Sequence, residues 1–168
     1  MSKNKTIFFN KTSVTCGIIC ASLCLGVRLI SGTPFDMIHK LDSADLIPPM
    51  WIFNLLWLVW SYLSGNAAGA VIFNVSIGRT SGREEIQAYK GGLFFISLLF
   101  LELMWYPILF INEALFLSLV ISLISVICSL LCSTAWQKVN RMPGLIMAAH
   151  TIWLVYVFIV NFSVFIHN

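Results

Sequence analysis

A bundle of five transmembrane helices, an all-α membrane protein, is the fold the sequence predicts. Residues 46–78, 114–137 and 142–168 contain no Asp, Glu, Lys or Arg. Only 10% of the 168 residues are charged and the mean hydropathy is +0.90, a balance that a water-soluble domain of this length does not sustain. Runs such as Ala114–Cys128 do not alternate with period two. That argues against a closed barrel, the other architecture that satisfies its backbone in lipid.

An apolar helix needs about 20 residues to cross the hydrocarbon core, and five segments qualify. The first is read at 12–31, where an apolar run follows Lys3, Lys5 and Lys11. This start imitates a secretory signal, but no Ala-x-Ala-like site follows, so a retained first helix is expected. The second, 50–74, begins after Pro48 and Pro49 and carries Ser61, Gly65 and Gly69 at four-residue spacing. The third is read at 91–110 and the fifth at 143–166. The fourth, 114–135, carries a stripe of Ser118, Ser122, Ser125, Ser129 and Cys132, and the first repeats the idea with Ser13, Gly17 and Ala21. Small residues at this spacing let helix backbones approach closely in lipid. They mark seams within one bundle or between two copies, and a homodimer through such faces is an expected assembly. Only the connections 32–49 and 75–90 are long, and no linker interrupts the chain, so residues 1–168 are read as one domain.

Five spans put the termini on opposite sides. Lys3, Lys5, Lys11, Arg79, Arg83, Lys90, Lys138 and Arg141 fall on the N-terminal side, and only Arg28 and Lys40 on the other. The positive-inside rule therefore predicts a cytoplasmic N-terminus, with the C-terminus and the first loop outside. The net charge of +3 belongs to these loops and points to no nucleic-acid partner. Cys16, Cys20 and Cys24 lie along one helix face, as do Cys128 and Cys132. They read as small packing residues, because no His or carboxylate sits at metal-ligand spacing beside them. Trp136, near the inner end of span four, suits an interfacial aromatic belt.

Depth selects the residues that could form a site. At 1.5 Å per residue, Trp57 lies roughly 10 Å below the first-loop surface and Trp105 roughly 8 Å below it. Trp153 lies near the midplane by the same count, while Trp51 sits at the surface, where a belt position suits it. Trp57, Trp105 and Trp153 are too deep for a belt, leaving core packing or a ligand cavity beneath the first loop. Two ionisable residues lie within spans, Glu102 in the third and His150 in the fifth. Intramembrane carboxylates are costly and mark functional sites by default, so Glu102 is a candidate proton site. Its alternative role is a protonated or hydrogen-bonded group fixing helix packing. His150 reads as a neutral hydrogen-bonding residue, about 6 Å from Glu102 in depth, close enough for a water-bridged contact.

The order of motifs resembles the TspO/MBR family, the tryptophan-rich sensory protein, translocator protein or peripheral-type benzodiazepine receptor group. Pro48-Pro49-Met50-Trp51-Ile52-Phe53-Asn54-Leu55-Leu56-Trp57 with Gly65-Asn66-Ala67 is similar to its Pro-Pro-x-Trp-x-Phe-x-x-Val-Trp … Gly-x-Ala signature. Trp105-Tyr106-Pro107-Ile108-Leu109-Phe110 resembles the Asn-x-x-Trp-Ser-x-Leu-Phe-Phe element ending its third helix. Asn140-Arg141, then Trp153, Tyr156 and Asn161, fall on its Asp-Arg … Pro-Tyr-x-x-Trp-x-x-Phe-Ala-x-x-Leu-Asn pattern. The likeness runs over residues 12–166. Glu102 stands where the family has Asn, Ala149-His150 where it has Pro-Tyr, and Trp60-Ser61 where it has Leu-Tyr. The first loop offers Phe35 in place of a Trp-Tyr pair, and nothing basic follows Tyr156 except His167. The cholesterol-recognition pattern of animal members is thus unmatched, and the expected location is a bacterial cell membrane.

The resemblance implies a membrane binding protein for porphyrins, haem-like tetrapyrroles or similar hydrophobic ligands, sensed or carried in a cavity roofed by the first loop. The candidate ligand-binding set is Trp51, Trp57, Trp105, Trp153, Phe53, His150 and Asn161, of which the resemblance links Trp57 and Trp153 to porphyrin handling. Indole faces suit a flat π-system because they stack on it with little loss of rotamer freedom. No cofactor or metal is required, and lipid and the hydrophobic ligand are the expected partners. The expectation is a protein that is not an enzyme. A proton- or ion-coupled transporter using Glu102 and His150, and a light-dependent porphyrin degrader, are the alternatives.

Overall fold

The computed structural model describes residues 10–31 and 48–168. Within them lie five helices: α1 (Lys11–Ser31), α2 (Met50–Ser76), α3 (Gly82–Phe110), α4 (Leu115–Gln137) and α5 (Arg141–His167). All five are long and apolar enough to cross a membrane. The predicted spans agree within a few residues except in α3, which begins at Gly82 rather than at 91. Local chemistry explains the extension. The Ser81 N–H donates to the Glu84 carboxylate at 2.7 Å, completing a capping box. The charged turn Arg83–Glu85 is thus helical but not apolar, and a hydropathy reading passes over it. Asn140 starts α5 in a similar way, its side-chain oxygen accepting from the Met142 N–H at 3.1 Å.

Helix α1 packs along α2, α2 along α5, α5 along α4, α4 along α3, and α3 returns to α1. The small-residue stripes decide who is adjacent to whom. A Cβ on Gly69 would come within 2.6 Å of the Ser13 Cα, and one on Gly65 within 2.7 Å of the Cys16 carbonyl oxygen. Gly17 faces Tyr62 just as closely. The Ser61 hydroxyl meets the Cys24 sulfur at 3.1 Å across the same seam. The serine stripe of α4 is spent on α5: Ser129 and Thr151 hydroxyls lie 2.8 Å apart, and Ser133 donates to the Gly144 carbonyl at 2.9 Å. Both seams are therefore internal to one chain.

Two hydrophobic clusters fill the ring. One, towards the loop between α2 and α3, is built on Phe95, Leu98, Trp136 and Met147. The other, towards the first loop, is built on Phe53, Trp105, Tyr106 and Leu109, with Trp57 and Trp153 packed on it. Trp136 is not the belt residue that its position suggests. It is 1% exposed, its indole N–H points at the Ala88 carbonyl oxygen at 3.4 Å, and it fills the hollow that Gly91 leaves in α3. The missing Cβ of one helix is occupied by the indole of the next.

Candidate aromatic ligand site

The first-loop end of the bundle gathers aromatics from three helices. Trp57 of α2 and Trp105 of α3 stack at 4.9 Å between ring centroids, only 16° from parallel. Phe53, one turn before Trp57, lies 5.7 Å from it, 6.1 Å from Trp105 and 5.5 Å from Trp153 of α5. Trp153 in turn contacts Tyr156 at 5.4 Å. Spacings of this kind contribute about 0.5–1.5 kcal/mol per pair beyond area burial. Pro107 lies inside α3 beside the cluster, and it has no N–H to offer the carbonyl one turn back.

Beside this cluster runs a cavity lined by Cys24, Val27 and Arg28 of α1, Phe53, Asn54, Trp57 and Leu58 of α2, and Glu102, Leu103 and Tyr106 of α3. Its free space is about 20 Å³, room for about one water. It is a narrow seam with an aromatic wall and polar groups at intervals. The Tyr106 hydroxyl and the Trp105 indole N–H are both buried without a hydrogen-bond partner among the described residues.

Glu102 borders the cavity on its deep side and has a direct partner. His150 Nε2 and Glu102 Oε1 are 3.0 Å apart, with the two side chains 2% and 5% exposed. The water-bridged contact expected from depth alone is thus a direct one. The imidazole lies flat on Trp60, 8° from parallel with centroids 5.6 Å apart. Its Nδ1 has no partner among the described residues. No group of three or more His, Cys, Asp or Glu that could hold a metal ion occurs among them.

The structure thus brings together Phe53, Trp57, Trp105 and Trp153, with Glu102 at the cavity edge and His150 behind it. Two of the sequence candidates stand apart. Trp51 is 69% exposed on the outer surface of α2, the belt position it suits. Asn161 is buried between helices, its amide donating to the Val157 carbonyl at 2.9 Å and its oxygen facing the Ser118 hydroxyl at 3.4 Å. It ties α4 to α5. The first-loop roof, including Phe35, lies outside the described residues. Arg28, Asn54, Tyr106 and Trp60 complete the surroundings and were not singled out from sequence. Arg28 had counted only as a loop charge, although a cation on the side with few cations is itself a signal.

A second hollow opens between α2 and α3 towards the other end of the bundle. It holds about 570 Å³ and is lined by Val71, Ile72, Val75, Ser76, Ala88, Tyr89, Gly92, Leu93 and Ile96. It is larger than the aromatic cavity but nearly featureless chemically, with no charged group to orient a ligand. Ala88 and Gly92, four residues apart on α3, leave it open, and a Cβ at Gly92 would meet nothing.

A comparison with curated proteins finds no match. The family comparison does: the sequence matches the TspO/MBR family model over residues 7–166. With five helices able to span a membrane and a match covering nearly the whole chain, this integral membrane protein belongs to the TspO/MBR family.

Proposed function

We propose that the protein binds a flat hydrophobic ligand of the tetrapyrrole class, porphyrin or haem-like, and senses or carries it rather than transforming it. The observation that carries this reading is the parallel Trp57–Trp105 stack with Phe53 and Trp153 around it. Two indoles from different helices lie almost parallel, and Phe53 and Trp153 are tilted around them, so a flat aromatic face is already assembled. The free space beside the stack is far too small for a tetrapyrrole, so binding parts the rings. Inserting a flat ligand between two indoles takes the centroid spacing from 4.9 Å to roughly 7–8 Å, two carbon contacts of 3.5–4.0 Å each. One indole–indole contact is exchanged for two indole–ligand contacts, which favours the parted state when ligand is present. The protein is oriented with its N-terminus in the cytoplasm, and the ligand reaches the cavity from the first-loop side. Its place is a bacterial cell membrane, where a homodimer would form through lipid-facing surfaces and not through the glycine seams.

A titration of the purified protein with protoporphyrin and with haem, followed by tryptophan fluorescence, tests the reading. Saturable quenching is expected. Trp57→Phe and Trp153→Phe should each weaken binding by about 1 kcal/mol, and together by more than either. Trp136→Phe, at the opposite end, should lower thermal stability and leave the affinity unchanged. Quenching without saturation, or equal effects from all three variants, would overturn the assignment.

The Glu102–His150 contact at 3.0 Å favours one second reading, proton-coupled transport through that pair. It needs a further acceptor beyond His150, and Nδ1 meets none among the described residues.

A further inference from the structure

Resting on that reading, we infer that Arg28 and Tyr106 form an acid-binding subsite at the mouth of the aromatic cavity, which selects flat ligands that carry a carboxylate tail. Arg28 sits in the last turn of α1 and lines the cavity together with Tyr106. It is half-buried rather than exposed, and it forms no ion pair with any described carboxylate. The carboxylate bordering the same cavity, Glu102, is engaged by His150 at 3.0 Å. An arginine near a membrane surface usually turns its head out to the headgroups. This one faces inward across a cavity with aromatic walls, where a lone cation is costly and calls for an anion.

The second, independent observation is the Tyr106 hydroxyl. Tyr106 is 6% exposed and lines the cavity, and its buried hydroxyl meets no neighbour among the described residues in full hydrogen-bond geometry, only the nearby Arg28 guanidinium. A guanidinium fork and a phenolic hydroxyl thus lie side by side on one wall of the cavity. Carboxylate is the ligand group that such a pair recognises, since the fork binds its two oxygens in parallel and the hydroxyl supplies a third donor.

Depth orders the site. Counting 1.5 Å per residue from the first-loop ends of the helices, Arg28 lies roughly 5 Å in, Tyr106 roughly 6 Å, Trp57 roughly 10 Å and Glu102 roughly 12 Å. A ligand with an apolar ring and an acid tail would place its tail at Arg28 and its ring at the Trp57–Trp105 stack. The ring would arrive first and deepest, and the acid would remain near the surface. The deep aromatic stack and the shallow Arg28 together set the ligand's direction.

Protoporphyrin and its dimethyl ester share one ring and differ only in whether the acid tails are free. The purified protein should bind the free acid about tenfold or more tightly than the ester, the scale of a charge-assisted hydrogen bond. Arg28→Gln should weaken free-acid binding until it equals ester binding, and leave the ester affinity as it was. Tyr106→Phe, which keeps the ring against Phe110 at 4.7 Å, should lose part of the preference. Equal affinity for acid and ester in the unmodified protein overturns the subsite while leaving the porphyrin reading intact. So does a preference that survives Arg28→Gln. Binding of neither compound overturns both. Should Arg28→Gln fail to fold, the acid-to-ester ratio of the parent and its reduction in Tyr106→Phe decide the matter.

Discussion

At the scale of single residues, the Glu102–His150 contact separates a binding protein from a transporter. Nε2 and Oε1 lie 3.0 Å apart, an ion-pair distance at which the ring N–H does not aim at the oxygen in hydrogen-bond geometry. Burial makes the contact matter, because removing one partner of a buried pair costs about 3–5 kcal/mol. His150→Ala should therefore destabilise the protein by that order, and it also removes the face that stacks on Trp60. Glu102→Gln is different. Its shape is unchanged and its amide keeps a polar group against the imidazole, so the fold and ligand affinity should survive almost intact. Affinity measured from pH 5 to 8 in the parent and in Glu102→Gln checks this. A pH dependence present in the parent and lost in the variant would assign the pair to proton coupling.

At the scale of helices, two adjacent glycines in α3 behave oppositely. A Cβ on Gly91 would overlap the Trp136 indole, whereas one on Gly92 would enter open space. Gly91→Ala should cost about 1–3 kcal/mol through overpacking and lower the unfolding temperature in detergent. Gly92→Ala should be neutral or stabilising by up to about 1 kcal/mol, because glycine is the poorer helix former. Equal effects would mean that α3 is rotated relative to α4. The contrast also shows what sequence could and could not reveal. Five spans are legible because hydropathy is a property of each segment by itself. The Ser61, Gly65 and Gly69 stripe is legible as a seam, yet which helix enters it depends on the tertiary fold. Trp136 misleads for the same reason, since its place near a span end suits a belt and only Gly91, 45 positions earlier in the numbering, makes room for it inside. In the site, depth arithmetic found Trp57 and Trp105. It could not see that His150 faces Glu102, because rotation about a helix axis is invisible to a count of residues. Asn161 matched a motif, but its side chain turned out to clip α4 to α5.

At the scale of the whole molecule, the ring order and the charge distribution are linked. Each helix reverses direction, so Lys11, Arg79, Arg83, Lys90, Lys138 and Arg141 collect at one end of the bundle while Arg28 stands at the other. The positive-inside rule predicts that the basic end faces the cytoplasm, and in that orientation the aromatic cavity would open away from it. The orientation would govern where a ligand comes from. It can be checked with single cysteines at Ser43, in the first loop, and at Gly82. Gly82 is exposed at the first turn of α3, and a Cβ there meets nothing, so Gly82→Cys perturbs neither the Ser81–Glu84 cap nor the packing. The five native cysteines lie in α1 and α4 and are buried or half-buried, and the parent protein supplies their background. An impermeant thiol reagent applied to intact cells should label Ser43→Cys and spare Gly82→Cys, and permeabilised cells should label both. The reverse pattern in intact cells would turn the molecule over and place the cavity, with Arg28 at its mouth, on the cytoplasmic face.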